Sequence, residues 1–86
     1  MPIFTEGSLL VHRSPVLGTY LTRITDFLVV VSTQGNRISL RRPKIIDVDG
    51  RLECDPTVLE GKVITRTETV NADGLHSIKV DGKQFY

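Results

Sequence analysis

The chain has 86 residues, 40% apolar and 24% charged, and a formal net charge of +1. That length predicts one domain, residues 1–86, whose modest core hides about 60 to 65% of the unfolded surface, and the composition is too apolar for a disordered polymer. The longest uncharged apolar run, Phe27 to Val31, is far short of the ~20 residues of a helical membrane span. No membrane segment is expected. Cys54 has no partner for an internal disulfide, and the amino terminus lacks the basic and apolar pattern of a secretory signal. A reducing, cytoplasmic setting is the expectation, unless a leader has already been removed.

Charge divides unevenly along the chain. Residues 1–45 hold six basic and two acidic side chains, net +4, while residues 46–86 hold five basic and eight acidic, net −3. If the fold keeps the halves apart, self-association gains an electrostatic motive. A compact barrel that mixes them would cancel it.

In chain order, the lead to Val11 contains a first strand at Leu9 to Val11, and His12 to Pro15 reads as a turn. Tyr20 to Thr25 is ambiguous. Ser14 and Pro15 suit a helix start, and Leu17, Tyr20, Leu21, Ile24, Phe27 and Leu28 fall at helical spacing. Gly18 and the threonines at 19, 22 and 25 favour extended chain instead. Strand is the preferred reading, with Asp26 marking a bulge or tight turn.

The most informative stretch is Phe27 to Pro43. A β-branched run through Val31 meets a turn at Gln34-Gly35-Asn36, and an alternating run from Arg37 to Arg41 follows, closed by Pro43. This predicts a hairpin that pairs Val31 with Ile38 and Val29 with Leu40 and leaves Arg37, Ser39 and Arg41 on the opposite face. Its first strand, apolar on both faces, should lie at the buried centre of a sheet.

A second hairpin, Ile45 to Cys54, turns at Asp49-Gly50. A two-residue loop would pair apolar with charged residues, whereas a three-residue loop pairs Val48 with Leu52 and Ile46 with Cys54; the latter is expected for its clean face. Asp55-Pro56-Thr57 should end that strand, with Val58 to Gly61 as a connection. A third hairpin, Val63 to Val80, is expected to pair Thr69 with His76, Thr67 with Ile78 and Thr65 with Val80 around a loop at Asn71 to Gly74. Asp81-Gly82 makes a last turn into a short final strand. The pattern Ile-x-Val-Asp-Gly and a basic residue occurs at Ile46 to Arg51 and again at Ile78 to Lys83; two similar hairpin turns explain it better than duplication. Together these elements predict an all-β fold, a small antiparallel barrel or sandwich of consecutive hairpins. The rival is α+β with one helix near residues 15–28.

Chemistry-bearing groups are sparse. Cys54 beside His12 or His76 would be needed for nucleophilic catalysis, but a small buried residue is the better reading of Cys54. Asp47 to Gly50 imitates only the opening of a calcium loop, and one cysteine with two scattered histidines does not make a zinc site. Neither a metal nor a cofactor is expected, and no small-molecule substrate is identifiable. Thr65, Thr67 and Thr69 read as threonines bonded across a hairpin rather than a ligand surface. The basic residues Arg37, Arg41, Arg42 and Lys44 form the one polar constellation with some force, able to contact phosphates or an acidic protein, although solvated charges that protect an edge strand explain it as well. The expectation is a non-enzymatic β domain that works by protein–protein binding or assembly, either as a homo-oligomer or part of a larger structure or as a small inhibitor-like partner. Nucleic-acid binding is the alternative.

Overall fold

The computed structural model describes residues 4–70 and 76–86, with backbone alone at Thr69 and Val70. Seven strands follow one another: β1 (Leu9–Pro15), β2 (Thr22–Gln34), β3 (Arg37–Val48), β4 (Arg51–Thr67), β5 (Thr69–Val70), β6 (His76–Val80) and β7 (Lys83–Phe85). β1 to β4 form an antiparallel meander, and β5 to β7 a second antiparallel set. Glu68 alone separates β4 from β5. At the other end, reciprocal backbone hydrogen bonds of 3.0 Å join Val11 to Tyr86, so the two sets close on each other as a small barrel. The fold is therefore all-β and built from consecutive hairpins. Among the described residues there is no helix, which removes the α+β alternative: residues 16–21 form a turn, and the chain from Thr22 is extended.

Each turn shows why its residues were chosen. Gly35-Asn36 joins β2 to β3 with Gly35 at φ 62°, the geometry of a turn that needs glycine first. Asp49-Gly50 and Asp81-Gly82 both take positive φ at both places, 53° and 81° in the first, 51° and 80° in the second. These are type I′ reversals, whose twist matches that of the strands they join. The recurring Ile-x-Val-Asp-Gly pattern thus encodes two turns of one type.

Register differs from expectation wherever a bulge intervenes. Val30 pairs with Leu40 and Ser32 with Ser39, leaving Val31 without a partner on β3. One extra residue reverses the facing of everything beyond it. Leu28 and Val30, rather than Val29 and Val31, therefore share the core with Ile38 and Leu40. The bulge or turn expected at Asp26 is a bulge one place earlier: Thr25 is extra opposite β1. His12 to Pro15 is strand rather than turn. The Asp49-Gly50 loop has two residues, so Val48 faces Arg51 and Ile45 faces Cys54; the backbone preference of Asp-Gly overrides the clean apolar face that a longer loop would have made.

β4 does not stop at Asp55. It runs on to Thr67 against β3, with residues 56–58 and 61–63 set outside the register. Thr65 and Thr67 accordingly pair with Ser39 and Arg37, not with β6. Thr69 pairs with Ser77 instead of His76, and the loop expected at Asn71 to Gly74 lies outside the described residues. Pro43 does not close β3; it sits buried where the β3–β4 register shifts, a place where its missing N–H costs the ladder nothing.

The barrel interior collects Leu10, Leu28, Val30, Ile38, Leu40, Ile78, Val80 and Phe85, with Phe4 from the lead and Ile64 packed against them. Burying each such side chain contributes about 1.5 to 3 kcal/mol. Leu28→Ala and Leu40→Ala, at positions with no exposed surface, should each cost about 2 to 5 kcal/mol in urea unfolding. Leu17→Ala, at a side chain 99% exposed, should change stability by less than about 0.5 kcal/mol.

A candidate interaction surface formed by two diverging arms

Pairing between β2 and β3 ends at Val29 and Arg41. Below that point β1 and β2 continue together to Pro15 and Thr22, and β3 and β4 continue together to Val48 and Arg51. The sheet thus forks into two arms. At the fork sits Asp26, only 4% exposed. Its carboxylate accepts the backbone N–H of Phe27 (2.9 Å) and pairs with Arg42 of β3 and, at 3.5 Å, with Lys83 of β7. A carboxylate this deep needs such partners, because an isolated buried charge is very costly.

Between the arms lies an open cleft of about 710 Å³. Arg13, Arg23 and Ile24 line one wall; Asp47, Leu52 and Glu53 line the other. The β1–β2 arm ends in a loop, residues 16–21, that is held by its own hydrogen bonds. Val16 N–H donates to Leu21 O (2.9 Å), the Thr19 hydroxyl to Val16 O (3.0 Å), and Leu21 N–H to Thr19 Oγ1 (3.0 Å), with Gly18 at φ 80°. This ordered tip holds Leu17 99%, Tyr20 97% and Leu21 60% exposed.

The four basic residues singled out in the sequence are strung along β3. Arg37 stands exposed at the β2–β3 turn, and Arg41, half-buried, donates to Gly61 O at 3.2 Å while its Nε is buried without a hydrogen-bond partner among the described residues. Arg42 is engaged by Asp26, and Lys44 lies opposite Asp55. From Arg37 to Lys44 the strand covers roughly 23 Å, so these cations form a line and not one cradle. Sequence reasoning missed the role of Asp26. Its signal was an acid set between Ile24 and the apolar run that begins at Phe27.

Cys54 and the histidines are not joined. No hydrogen bond links them among the described residues. His12 Nδ1 lies 2.9 Å from Gln84 O, which only accepts, so Nδ1 carries the proton; its Nε2 faces the Ser14 hydroxyl at 3.4 Å. His76 pairs with Glu68. His12 thus ties β1 to β7, and His76 joins β6 to the link between β4 and β5. Burial, and then the charge of Asp55, push the Cys54 thiol above its ordinary pKa, the opposite of what a nucleophile requires. Among the described residues no group of three or more His, Cys, Asp or Glu side chains is placed to hold a metal, and no helix is long and apolar enough to cross a membrane.

No protein-family model, curated protein or solved structure matches this chain.

Two outcomes follow from these arrangements. Arg42→Ala leaves the buried carboxylate of Asp26 with the Phe27 N–H and, as its only cation among the described residues, Lys83, and should cost about 2 to 3 kcal/mol in urea unfolding, discounted from a fully buried pair because Arg42 is itself partly solvated; Arg37→Ala should cost under about 0.5 kcal/mol. Alkylation of Cys54 by iodoacetamide should rise with pH along a curve displaced upward from that of a free cysteine peptide, and at pH 8 run slower than it.

Proposed function

We propose that this protein is a non-enzymatic β domain that acts by protein–protein contact, as a repeated subunit of an assembly. One observation carries the reading: Leu17, Tyr20 and Leu21 are all exposed on one short loop ordered by its own hydrogen bonds. Single exposed apolar residues are ordinary, but three within five residues on one tip concentrate apolar area where a partner could meet it. A tip ordered before binding loses little further entropy on docking, and tyrosine is prominent among residues that dominate interface energy. The size of the domain agrees with this, since a small core gains from an oligomeric interface.

Nucleic-acid binding along β3 is the second reading. It is favoured by Arg37 and Lys44, exposed cations with no ion pair among the described residues. Arg42 serves Asp26 at the same time, which reduces what the line offers to phosphates.

Sedimentation and native mass measurement of the wild-type chain should reveal a species of two copies or more. Replacing Leu17 and Tyr20 together by serine should weaken that association about 30-fold or more while leaving the circular dichroism, and the urea midpoint at dilutions where both proteins are monomeric, unchanged. A strict monomer that also retains no partner in a pull-down opposes the proposal. A fluorescence-anisotropy shift with a short oligonucleotide at low salt, abolished by Arg37→Glu with Arg41→Glu, would favour the second reading instead.

A further inference from the structure

The two arms that bound the cleft differ in sign. Residues 13–25, the β1–β2 arm, contain Arg13 and Arg23 and no acidic side chain. Residues 44–55, the β3–β4 arm, contain Asp47, Asp49, Glu53 and Asp55 against Lys44 and Arg51. Within the second arm Arg51 pairs with Glu53 at 3.5 Å, and Lys44 lies opposite Asp55. Asp47, whose Oδ1 accepts the Gly50 N–H at 2.8 Å, and Asp49 therefore have no cationic partner among the described residues. Arg13 and Arg23 likewise make no ion pair among the described residues. Across the cleft, Arg13 and Arg23 stand on one wall and Asp47, with the Arg51–Glu53 pair, on the other.

Backbone adds a second incompleteness. From Lys44 to Asp55 the β3–β4 arm is a two-stranded ribbon: β2 has left β3 at Arg41, and β4 is the outer strand of its sheet. Such a ribbon is marginal on its own and is steadied by a third strand or a packed surface. Ile46, 48% exposed, adds apolar area to it.

We propose that the acidic β3–β4 arm of one copy docks on the basic β1–β2 arm of a second copy, bringing Asp47 and Asp49 to Arg13 and Arg23. This rests on the assembly reading above and names its partner, a second copy of this chain, and its recognition, opposite charge on two protruding arms. Like arms repel and unlike arms attract, so the contact selects one orientation.

Charge exchange tests it. Arg13→Glu with Arg23→Glu makes both arms negative; Asp47→Lys with Asp49→Lys makes both positive. Each variant alone should self-associate at least tenfold more weakly than the wild type, and raising sodium chloride from 0.05 to 0.5 M should weaken the wild-type assembly. Mixed in equal amounts, the two variants should recover a mass of two copies or more, with both chains present. Because Asp49 occupies a turn position of positive φ, Asp47→Lys with Glu53→Lys serves as a second acidic-arm variant should the first fail to fold. Self-association undiminished in either folded variant, or a mixture that stays monomeric while the wild type assembles, overturns the arm contact and leaves the assembly reading standing. A wild type that is monomeric at 0.05 M salt and millimolar protein overturns both.

Discussion

Asp26 is the constraint on which the shape of the molecule depends. It lies in β2 at the point where β2 and β3 cease to pair, and it holds Arg42 from one departing strand and Lys83 from the closing hairpin. Three elements distant in sequence are thereby tied at the fork. Without a buried charge there, an apolar residue at that place would suit a sheet that continued uninterrupted, with β2 and β3 paired over their whole length. The cost of desolvating the carboxylate is offset only if its partners arrive in one geometry, so the pair specifies where the barrel ends and the arms begin. The Thr25 bulge directly before it turns the β1–β2 arm at the same level.

Barrel and arms obey different rules. Inside the barrel, alternation is clean: Ile38 and Leu40 are buried while Arg37 and Ser39 are not. In the β3–β4 arm, cross-strand neighbours are Val48 with Arg51 and Asp47 with Leu52, so neither face is wholly apolar and neither is wholly polar. A ribbon of that kind has little reason to fold back on its own barrel. Its charged edges also discourage indiscriminate strand addition. The edge of β1 is treated in the same way by Pro15, which has no N–H to offer.

What could be read from the sequence was whatever depends on local backbone preference. The valine run as a central strand, the reversals at Gly35-Asn36, Asp49-Gly50 and Asp81-Gly82, and the all-β class all follow from residues acting on themselves and their neighbours. The β2–β3 register failed where a single extra residue decides the facing: Val31 carries nothing in its identity that marks a bulge, whereas the bulge beside Asp26 was legible to within one residue. The long reach of β4 was hidden by Asp55-Pro56-Thr57, which has the composition of a stop and is instead an excursion within a strand. The line of Arg37, Arg41, Arg42 and Lys44 was visible as composition. Its division among a buried carboxylate, a backbone carbonyl and solvent was not, because Asp26 and Gly61 lie 16 and 20 residues from the arginines they engage.

The apolar tip shows how the same side chains change meaning with context. Leu17, Tyr20 and Leu21 fit the buried face of an imagined helix, and in that arrangement they would have been core. Gly18 at positive φ and the two Thr19 hydroxyl hydrogen bonds instead fold residues 16–21 into a turn that points them outward. In a chain of this size, exposing three such side chains gives up on the order of 5 kcal/mol of burial that a different loop would have kept, a large share of a small domain's stability. The loop's own hydrogen bonds hold the tip in that exposed form, so the arrangement is a defined surface and not a frayed end. The tip lies at the far end of the β1–β2 arm, beyond the point where β2 and β3 part. The fork at Asp26 therefore sets where the arms, and the tip that one of them carries, project from the barrel.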